Sequence, residues 1–429
     1  MAISGIQFGK LRQNSLARGA AWVLAGQGAN VLLRAAYFIL LARLLGVSQY
    51  GIFVGAFALV SMMTPYCSLG SGLLFMEHVT ADSSKYAVYW GNILLATLGN
   101  GLLLALLLSC LAPHLLNPAS ASVTLLVALG ECIFQQLFLC TGQVFQAFEQ
   151  MRTMAVAGVF SSALRLMAVI LLALWLHRAT ARQWAAWSLG ASALAAGAGA
   201  ALVTTRFGMP RFSPRLLASK LGEGFNYSFA SSTQSVYNDI DKTMLSHYGM
   251  NIANGIYTMA YRVIDIATIP IISLDAAVLP RFFRKAHEDA AGVTNLSYRL
   301  ARRSALLGIL LAILMFATAP LIPKILGNDF QQSVSALRWL CLIPAFRGVH
   351  QLTGSAITGM GFQRYRTIAQ FTAAACNFGL NLWLIPRYGW EGAAWTSLAT
   401  DGSLGIANWI VAGRLPLLAA KRRSHAPGI

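Results

Sequence analysis

Six cationic side chains lie inside long apolar stretches of this 429-residue sequence, where a charged group is costly. A guanidinium or ammonium at mid-span costs about 2.5–3.5 kcal/mol, so it must face a water-filled cavity or pair with an acid. Arginine also binds phosphate groups through its planar fork. The six are Arg34, Arg165, Lys242, Arg262, Arg338 and Arg347. The candidates for binding an anionic ligand are Arg34, Arg165, Arg262 and Arg347. Lys242 and Arg338 lie near span ends and are predicted to extend to the interface.

Six carboxylates share these stretches and are the natural partners of the cations. A carboxylate withdrawn from water favours its protonated form near neutral pH, and it can also help to bind Na⁺. The alternative is pairing with the arginines, and Arg262 and Asp265 are spaced so that they can pair on one helix. The six are Glu131, Asp239, Asp241, Asp265, Asp275 and Asp401. The candidates for binding a coupling ion are Glu131, Asp241, Asp265 and Asp401.

Two further patterns suggest chemistry but favour plainer interpretations. Asp239-Ile240-Asp241 has the DxD spacing with which sugar-nucleotide transferases hold a metal and a diphosphate. It lies late in an apolar stretch with no nucleotide-binding pattern around it, so we predict neither an enzyme nor a metal site. His350 lies among apolar residues, and a buried, hydrogen-bonded histidine is a better interpretation than a proton relay.

The elements that must position these residues are membrane-spanning helices. The sequence is 57% hydrophobic and only 11% charged, and apolar stretches near 20 residues recur from end to end. These stretches do not alternate as barrel strands do, so helices are the expected way to satisfy the backbone in lipid. We therefore predict an all-α polytopic membrane protein with about 12 transmembrane helices. The six cysteines lie in apolar segments without a CxxC pair, which indicates packing residues.

The net charge of +18 follows from membrane topology. If the termini and the even-numbered loops share one side, that side carries about two thirds of the 32 Lys and Arg residues. The opposite side carries only Arg43, Arg178, Arg182, Lys324 and Arg387. The positive-inside rule then puts both termini in the cytoplasm. Nucleic-acid binding is not needed to explain the basic charge.

Three short matches, in the same order, indicate that the chain contains two related halves. Each match is weak alone, but together they predict two six-helix halves with the same orientation in the membrane. The predicted organisation is an N-terminal half over 1–203, a basic cytoplasmic linker over 204–222 and a C-terminal half over 223–429. Transporters built in this way bind cargo between their halves and alternate access. The matches pair Gly51-Ile52-Phe53 with Gly255-Ile256-Tyr257, Phe148, Arg152 and Thr153 with Phe362, Arg366 and Thr367, and Ala185-Ala186-Trp187 with Ala393-Ala394-Trp395.

The last quarter contains Asn377–Thr396, with Ile385-Pro386, Tyr388-Gly389 and Gly392-Ala393-Ala394-Trp395. This stretch resembles the penultimate-loop pattern of Wzx-type polysaccharide flippases, which share a superfamily with the MATE drug exporters. Near the N-terminus, Leu41–Gly46 followed by Tyr50–Phe53 is similar to the first loop of that family. The resemblance implies a MATE-like fold. Pro386 and Gly389 turn the chain and Ala393-Ala394 allows close helix packing, so the motif itself marks the fold.

The resemblance also implies a function. It predicts a flippase of the bacterial inner membrane that moves undecaprenyl-pyrophosphate-linked oligosaccharide repeat units for O-antigen, exopolysaccharide or capsule synthesis. The expected partners are this glycan, membrane lipids, a polysaccharide polymerase and a chain-length regulator, with no nucleic acid. No cofactor is expected beyond coupling to H⁺ or Na⁺. The alternative is a MATE-type exporter of drugs or small cations, against which the arginines at membrane depth argue.

Overall fold

The structure is a computed structural model that describes residues 3–424, with side chains from residue 22 to 415 apart from 230, 234, 287, 288 and 290. Helices account for nearly all of the described chain, and these residues contain no β-strand. The chain divides into two compact units, 1–235 and 236–429. The division falls inside a long helix and not at the basic segment 204–222, so the ninth helix contributes to both units.

Unit 1 consists of long helices joined by short connections. A π-helical segment, Leu129–Gln135, continues α4 into α5 and makes them one passage. The helices are α1 (Ile3–Cys67), α2 (Ser71–Ala81), α3 (Tyr86–Leu115), α4 (Pro118–Ala128), α5 (Gln136–Ala147), α6 (Met151–Trp175), α7 (Ala181–Phe207), α8 (Pro214–Ser219) and the first part of α9 (Leu221–His247).

Helix α1 supplies two passages because it bends at Gly46. Its 65 residues would extend about 100 Å if straight, roughly three times the hydrocarbon thickness. Gly46 has φ 67° and ψ 171°, a left-handed conformation that glycine adopts without a steric penalty. The predicted loop after residue 42 is therefore a sharp bend within a nearly continuous helical stretch.

Successive connections of unit 1 lie alternately at the two ends of its helices, and those at the same end contact one another. At one end, Phe148 packs against Tyr86 and stacks on Phe207, with ring centroids 6.0 Å and 4.3 Å apart. At the other end, the Ala179 N–H donates to the Leu44 carbonyl over 3.1 Å. This arrangement matches the alternation of loops on which the charge count depends. The orientation of the termini remains a prediction.

Unit 2 has the same kind of architecture, with one broken passage. Helices α13 and α14 form this broken passage, because Cys341 and Leu342 form a turn between them and Pro344 lies in the first turn of α14. Proline fits there without losing a hydrogen bond, so Pro344 begins α14 and does not interrupt it. The helices after α9 are α10 (Asn251–Glu288), α11 (Ala290–Thr318), α12 (Leu321–Leu326), α13 (Ser333–Leu340), α14 (Ile343–Gly359), α15 (Gln363–Tyr388) and α16 (Trp390–Ser424).

Eight segments among the described residues are long and apolar enough to cross a membrane. The first, Trp22–Ala81, has 60 residues and covers the two passages on either side of the bend. Adding α9, the α13–α14 pair and α16 gives about twelve helical passages. The prediction of an all-α polytopic membrane protein is confirmed.

The three sequence matches occupy corresponding places in the two units. Gly51 follows the Gly46 bend, and Gly255 lies in the first turns of α10 just after Gly249, which has φ 73°. Arg152 and Arg366 both lie in the first turn of a helix, α6 and α15. The buried Ala185 and Ala393 lie near the beginnings of α7 and α16. The matched residues therefore occupy similar positions within their own units.

Candidate functional site

Arg165 on α6 is the centre of a polar cluster inside unit 1. Its Nη2 donates to Glu131 Oε1 over 2.9 Å, to Gln135 Oε1 over 3.0 Å and to Ser192 Oγ over 3.2 Å. Only 22% of the Arg165 side chain and 13% of the Glu131 side chain are exposed. We call these four residues the arginine cluster. It joins α6, α7 and the π-helical segment through one guanidinium group.

Two acceptors from the π-helical segment, four residues apart, reach the same nitrogen. Glu131 and Gln135 both lie within Leu129–Gln135, where the wide turn contains one residue more than an α-helical turn. Such turns are rare and occur often at functional sites, because they are kept only where other contacts compensate for them. Here the compensation includes two hydrogen bonds to a charged donor.

Arg34 lies on the face of α1 that packs against α6. Asn30, one turn earlier on the same face, accepts a hydrogen bond of 2.7 Å from the Ser162 hydroxyl. Ser162 is one turn before Arg165 on α6. The Arg34 side chain is exposed. The two predicted anion-binding residues of unit 1 therefore lie on helix faces that meet.

In unit 2, one carboxylate is shared by two arginines. Arg347 Nη1 on α14 lies 3.1 Å from Asp265 Oδ1, and Arg262 Nη1 lies 4.0 Å from Asp265 Oδ2. The Arg347 guanidinium also lies 5.9 Å from the centre of the Tyr261 ring. The expected pairing of Arg262 with Asp265 is present at this long distance, and Arg347 makes the shorter contact.

Three further carboxylates, which we call the acidic cluster, lie on α9 and α16 of unit 2. They are Asp239, Asp241 and Asp401. Asp401 is 2% exposed; it accepts a hydrogen bond from the Tyr237 hydroxyl, and His350 Nε2 lies 3.5 Å from it. Asp241 is 3% exposed and accepts hydrogen bonds from the Tyr257 hydroxyl and from the Lys242 backbone N–H. A tyrosine hydroxyl group thus donates to each of these two buried carboxylates.

Lys242 does not extend to the interface, so that prediction is wrong. Its ammonium group donates to Asp239 Oδ1 and to the Asn238 carbonyl, each over 2.6 Å. It also lies 5.3 Å from the centre of the Tyr261 ring. The acid one turn earlier on the same helix binds the ammonium group, which makes burial cheaper than extension.

The DxD pattern does not form a metal site among the described residues. Asp239 binds Lys242, whereas Asp241 turns to Tyr257, so the two carboxylates have separate partners. The described part of the chain contains no group of three or more His, Cys, Asp or Glu residues able to hold a metal.

The remaining intramembrane charges have local partners. Asp275 Oδ2 accepts a hydrogen bond of 3.0 Å from Ser355, and its Oδ1 is buried without a hydrogen bond. The Arg338 guanidinium lies 4.7 Å from the centre of the Phe316 ring. Three of the candidate arginines, Arg165, Arg262 and Arg347, are therefore paired with carboxylates inside the protein.

Sequence reasoning missed the neutral partners in both units. Gln135 and Ser192 bind Arg165, and Ser397 Oγ lies 2.8 Å from the Tyr257 hydroxyl. On α15, Asn377 donates to Thr400 Oγ1 over 3.2 Å and accepts from Asn381 over 2.8 Å. Two asparagines one turn apart in an apolar stretch are a signal that could have been used, because unpaired amides are costly in lipid.

Outside the spans, short local contacts set the ionisation of exposed groups. The Ser84 hydroxyl and backbone N–H both donate to Asp82 and hold the pKa of that carboxyl below its usual value. The Glu223 carboxylate, 2.8 Å from the ammonium group of Lys220, raises the pKa of that lysine. Both groups are charged at neutral pH.

A family model described as "Polysaccharide biosynthesis protein" matches residues 16–286. No curated protein matches the sequence significantly. An inward-facing structure of a multidrug resistance MATE family transporter of the MOP superfamily is similar, with TM-score 0.75 and 13% identity over 91% of this chain and 96% of that one. An outward-facing structure of such a transporter gives TM-score 0.63 and 14% identity over 95% and 96%. A MATE protein in complex with MaD3S gives 0.61 and 14% over 95% and 96%. At these identities the likeness establishes the fold, which is the MATE fold.

Proposed function

The chain belongs to the polysaccharide biosynthesis protein family, and from that premise we propose that it is a flippase for lipid-linked oligosaccharides. Its cargo would be undecaprenyl-pyrophosphate-linked repeat units, moved across the bacterial inner membrane for O-antigen, exopolysaccharide or capsule synthesis. The MATE fold supports transport by alternating access and agrees with the prediction that the chain is not an enzyme. Membrane lipids, a polymerase and a chain-length regulator are the proposed partners.

The observation that carries this proposal is the charged arginine cluster at membrane depth. A guanidinium group buried in a span is expensive, and the family's cargo has a pyrophosphate that such a group binds well. Arg165 and Glu131 form a 2.9 Å ion pair on helices that also contact α1, the helix that carries Arg34. We assign Arg34 and Arg165 to pyrophosphate binding in unit 1, and Arg262 and Arg347 to the same role in unit 2.

An arginine that is paired with a carboxylate can still bind an anionic cargo if the anion takes the place of the carboxylate. The pyrophosphate would replace Glu131 at the Arg165 guanidinium, and protonation of Glu131 would favour that replacement because a neutral carboxyl binds the cation less strongly. By linkage, a proton on Glu131 and an anion on Arg165 then strengthen each other's binding. The same exchange at Asp265 would release Arg347. This gives the ion-coupling role of Glu131 and Asp265 a physical basis.

The acidic cluster is the proposed site for the coupling ion in unit 2. Asp241 and Asp401 are buried and each accepts a hydrogen bond from a tyrosine, and a proton or Na⁺ bound there would compensate the carboxylate charge. Neither cofactor nor metal is needed beyond this ion.

A second candidate is a MATE-type exporter of small organic cations. The acidic cluster is the observation that favours it. Arg165 and Arg347 argue against it, since they would repel a cationic cargo.

The test compares Arg347→Gln with Arg338→Gln in cells that lack the native gene. Both replace an arginine of unit 2 by a neutral residue, but Arg338 lies over Phe316 and apart from the carboxylates. We expect Arg347→Gln to abolish the surface glycan at normal protein abundance in the membrane, and Arg338→Gln to keep it. Normal amounts of glycan in the Arg347→Gln strain would reject the assigned role.

A further inference from the structure

The segment 208–213 between α7 and α8 is fixed across the beginning of α3. The Arg211 N–H donates to the Ala87 carbonyl over 2.7 Å, and the Ser213 N–H donates to the buried Asn92 over 3.2 Å. The segment passes so close that a Cβ at Gly91 would overlap the Arg211 carbonyl group. The segment therefore has a defined position on unit 1.

This fixed segment exposes apolar side chains between arginines. Met209 is 78% exposed and Phe212 is 61% exposed, and Arg211 between them is also exposed. Arg215 follows on α8, and the nearby Glu223 carboxylate binds Lys220. Exposed apolar groups interspersed with arginines, at the end of membrane helices, are typical of a segment that lies in the membrane interface.

A pocket of about 540 Å³ lies beside the segment, lined among others by Ser83, Met209 and Arg211. Its apolar wall includes Phe148 and Phe207, whose rings stack with centroids 4.3 Å apart. The pocket thus joins an aromatic wall to hydroxyl groups and one guanidinium group. Asp82, which precedes Ser83 in the chain, accepts a hydrogen bond from Ser84 and lies 3.5 Å from the ammonium group of Lys85.

We propose that this face of unit 1 binds the headgroup of an anionic phospholipid. The phosphate would lie against Arg211 and the Ser83 hydroxyl group, because arginine and hydroxyl donors suit its oxygens. The glycerol would occupy the pocket along the aromatic wall, and Met209 and Phe212 would insert at the level of the acyl chains. Binding here fixes unit 1 at the interface and is independent of which cargo the chain moves.

Native mass spectrometry of the full chain in detergent, titrated with phosphatidylglycerol, tests this proposal. Arg211→Gln should weaken the tightest binding step about fivefold, in line with about 1 kcal/mol per interfacial arginine. Ser83→Trp adds bulk to the pocket from an exposed position and should weaken the same step. The matched control is Arg178→Gln, in the connection at the opposite end of unit 1, and it should leave that step unchanged.

The lipid series separates this site from nonspecific adsorption. Phosphatidylcholine should bind more weakly than phosphatidylglycerol, and inorganic phosphate should not displace bound lipid because it lacks the apolar part. In vesicles of brominated phosphatidylglycerol, Phe212→Trp should add fluorescence that bromine quenches, relative to the parent chain. Equal affinity of Arg211→Gln, Ser83→Trp and the parent chain would overturn the proposal. Displacement by phosphate would do the same, as would added fluorescence in the Phe212→Trp variant that bromine leaves unquenched.

Discussion

The arginine cluster of unit 1 and the acidic cluster of unit 2 stabilise buried charge in opposite ways. In unit 1, one guanidinium group meets one carboxylate and two neutral acceptors. In unit 2, the Lys242 side chain pairs with one of three carboxylates, Asp239. Tyrosine hydroxyl groups donate to the other two, Asp241 and Asp401, and His350 lies near Asp401. The first cluster is centred on a cation and the second on anions.

The difference favours a division of roles between the two units. A cation held by one exchangeable carboxylate is suited to an incoming anion, which can take the place of that carboxylate. Buried carboxylates whose direct hydrogen bonds come from hydroxyl groups can exchange those donors for a proton or Na⁺. We therefore expect substitutions in the arginine cluster to act on cargo and those in the acidic cluster to act on ion coupling.

The largest effect is expected for Arg165→Gln. It leaves the Glu131 carboxylate buried without its cation, which should lower the free energy of unfolding by about 3–5 kcal/mol. It should also abolish flipping of lipid-linked oligosaccharide in proteoliposomes. Thermal unfolding in detergent measures the first effect and a flipping assay the second.

The double variant Arg165→Gln with Glu131→Gln separates the two effects. With both charges removed, stability should return to near the parent value, because no uncompensated charge remains. Flipping should stay absent. Recovery of flipping in the double variant would mean that Arg165 serves only to neutralise Glu131.

A middle effect is expected for Asp401→Asn in the acidic cluster. The amide keeps the shape but cannot take up a proton, so flipping should no longer respond to an imposed pH or Na⁺ gradient. A coupling free energy of 1–3 kcal/mol corresponds to a loss of about 5- to 150-fold in the gradient-driven rate. Rates with and without each gradient measure this, and an unchanged response would exclude Asp401 from coupling.

The smallest effect is expected for Tyr257→Phe. The change removes one donor to Asp241 while the Lys242 backbone N–H remains, so stability should fall by about 1–3 kcal/mol. Cargo binding should not change, because the substitution lies outside the arginine cluster. Thermal unfolding and binding of a pyrophosphate-bearing lipid, measured on the same preparation, check both expectations. Weaker cargo binding would contradict the division of roles.

Most of the helices could be predicted from the sequence, because a long apolar stretch forms a helix in the membrane whatever its tertiary contacts are. The polar α9, Leu221–His247, is not among the segments apolar enough to cross a membrane, so the sequence indicates it less clearly. The connections between helices were harder to predict. Glycine and proline both indicate a change in the backbone, but sequence alone did not show that Gly46 bends a helix and that Pro344 begins one.

The candidate site was predicted as a set of residues but not as a set of pairs. Arg262 and Asp265 could be paired from their spacing, since both lie on one helix face. Arg165 and Glu131 are 34 positions apart, and their contact depends on how α6 packs against the π-helical segment. The position of the Lys242 side chain was predicted wrongly, because the prediction considered only how near Lys242 is to the end of its span. The contact with Asp239, one turn away, determines where the ammonium group lies.

The π-helical segment gives the passage formed by α4 and α5 a freedom that a regular helix lacks. Its surplus residue could migrate along the passage or be absorbed at one end. Each such step would rotate the following residues by about 100° about the helix axis, with an axial displacement of only about 1.5 Å. A rotation of that size would carry Gln135 away from Arg165 and break the 2.9 Å bond from Gln136 to Ser68. Torsion about a single axis could thus undo contacts with two neighbouring helices while the backbone hardly advances through the bilayer.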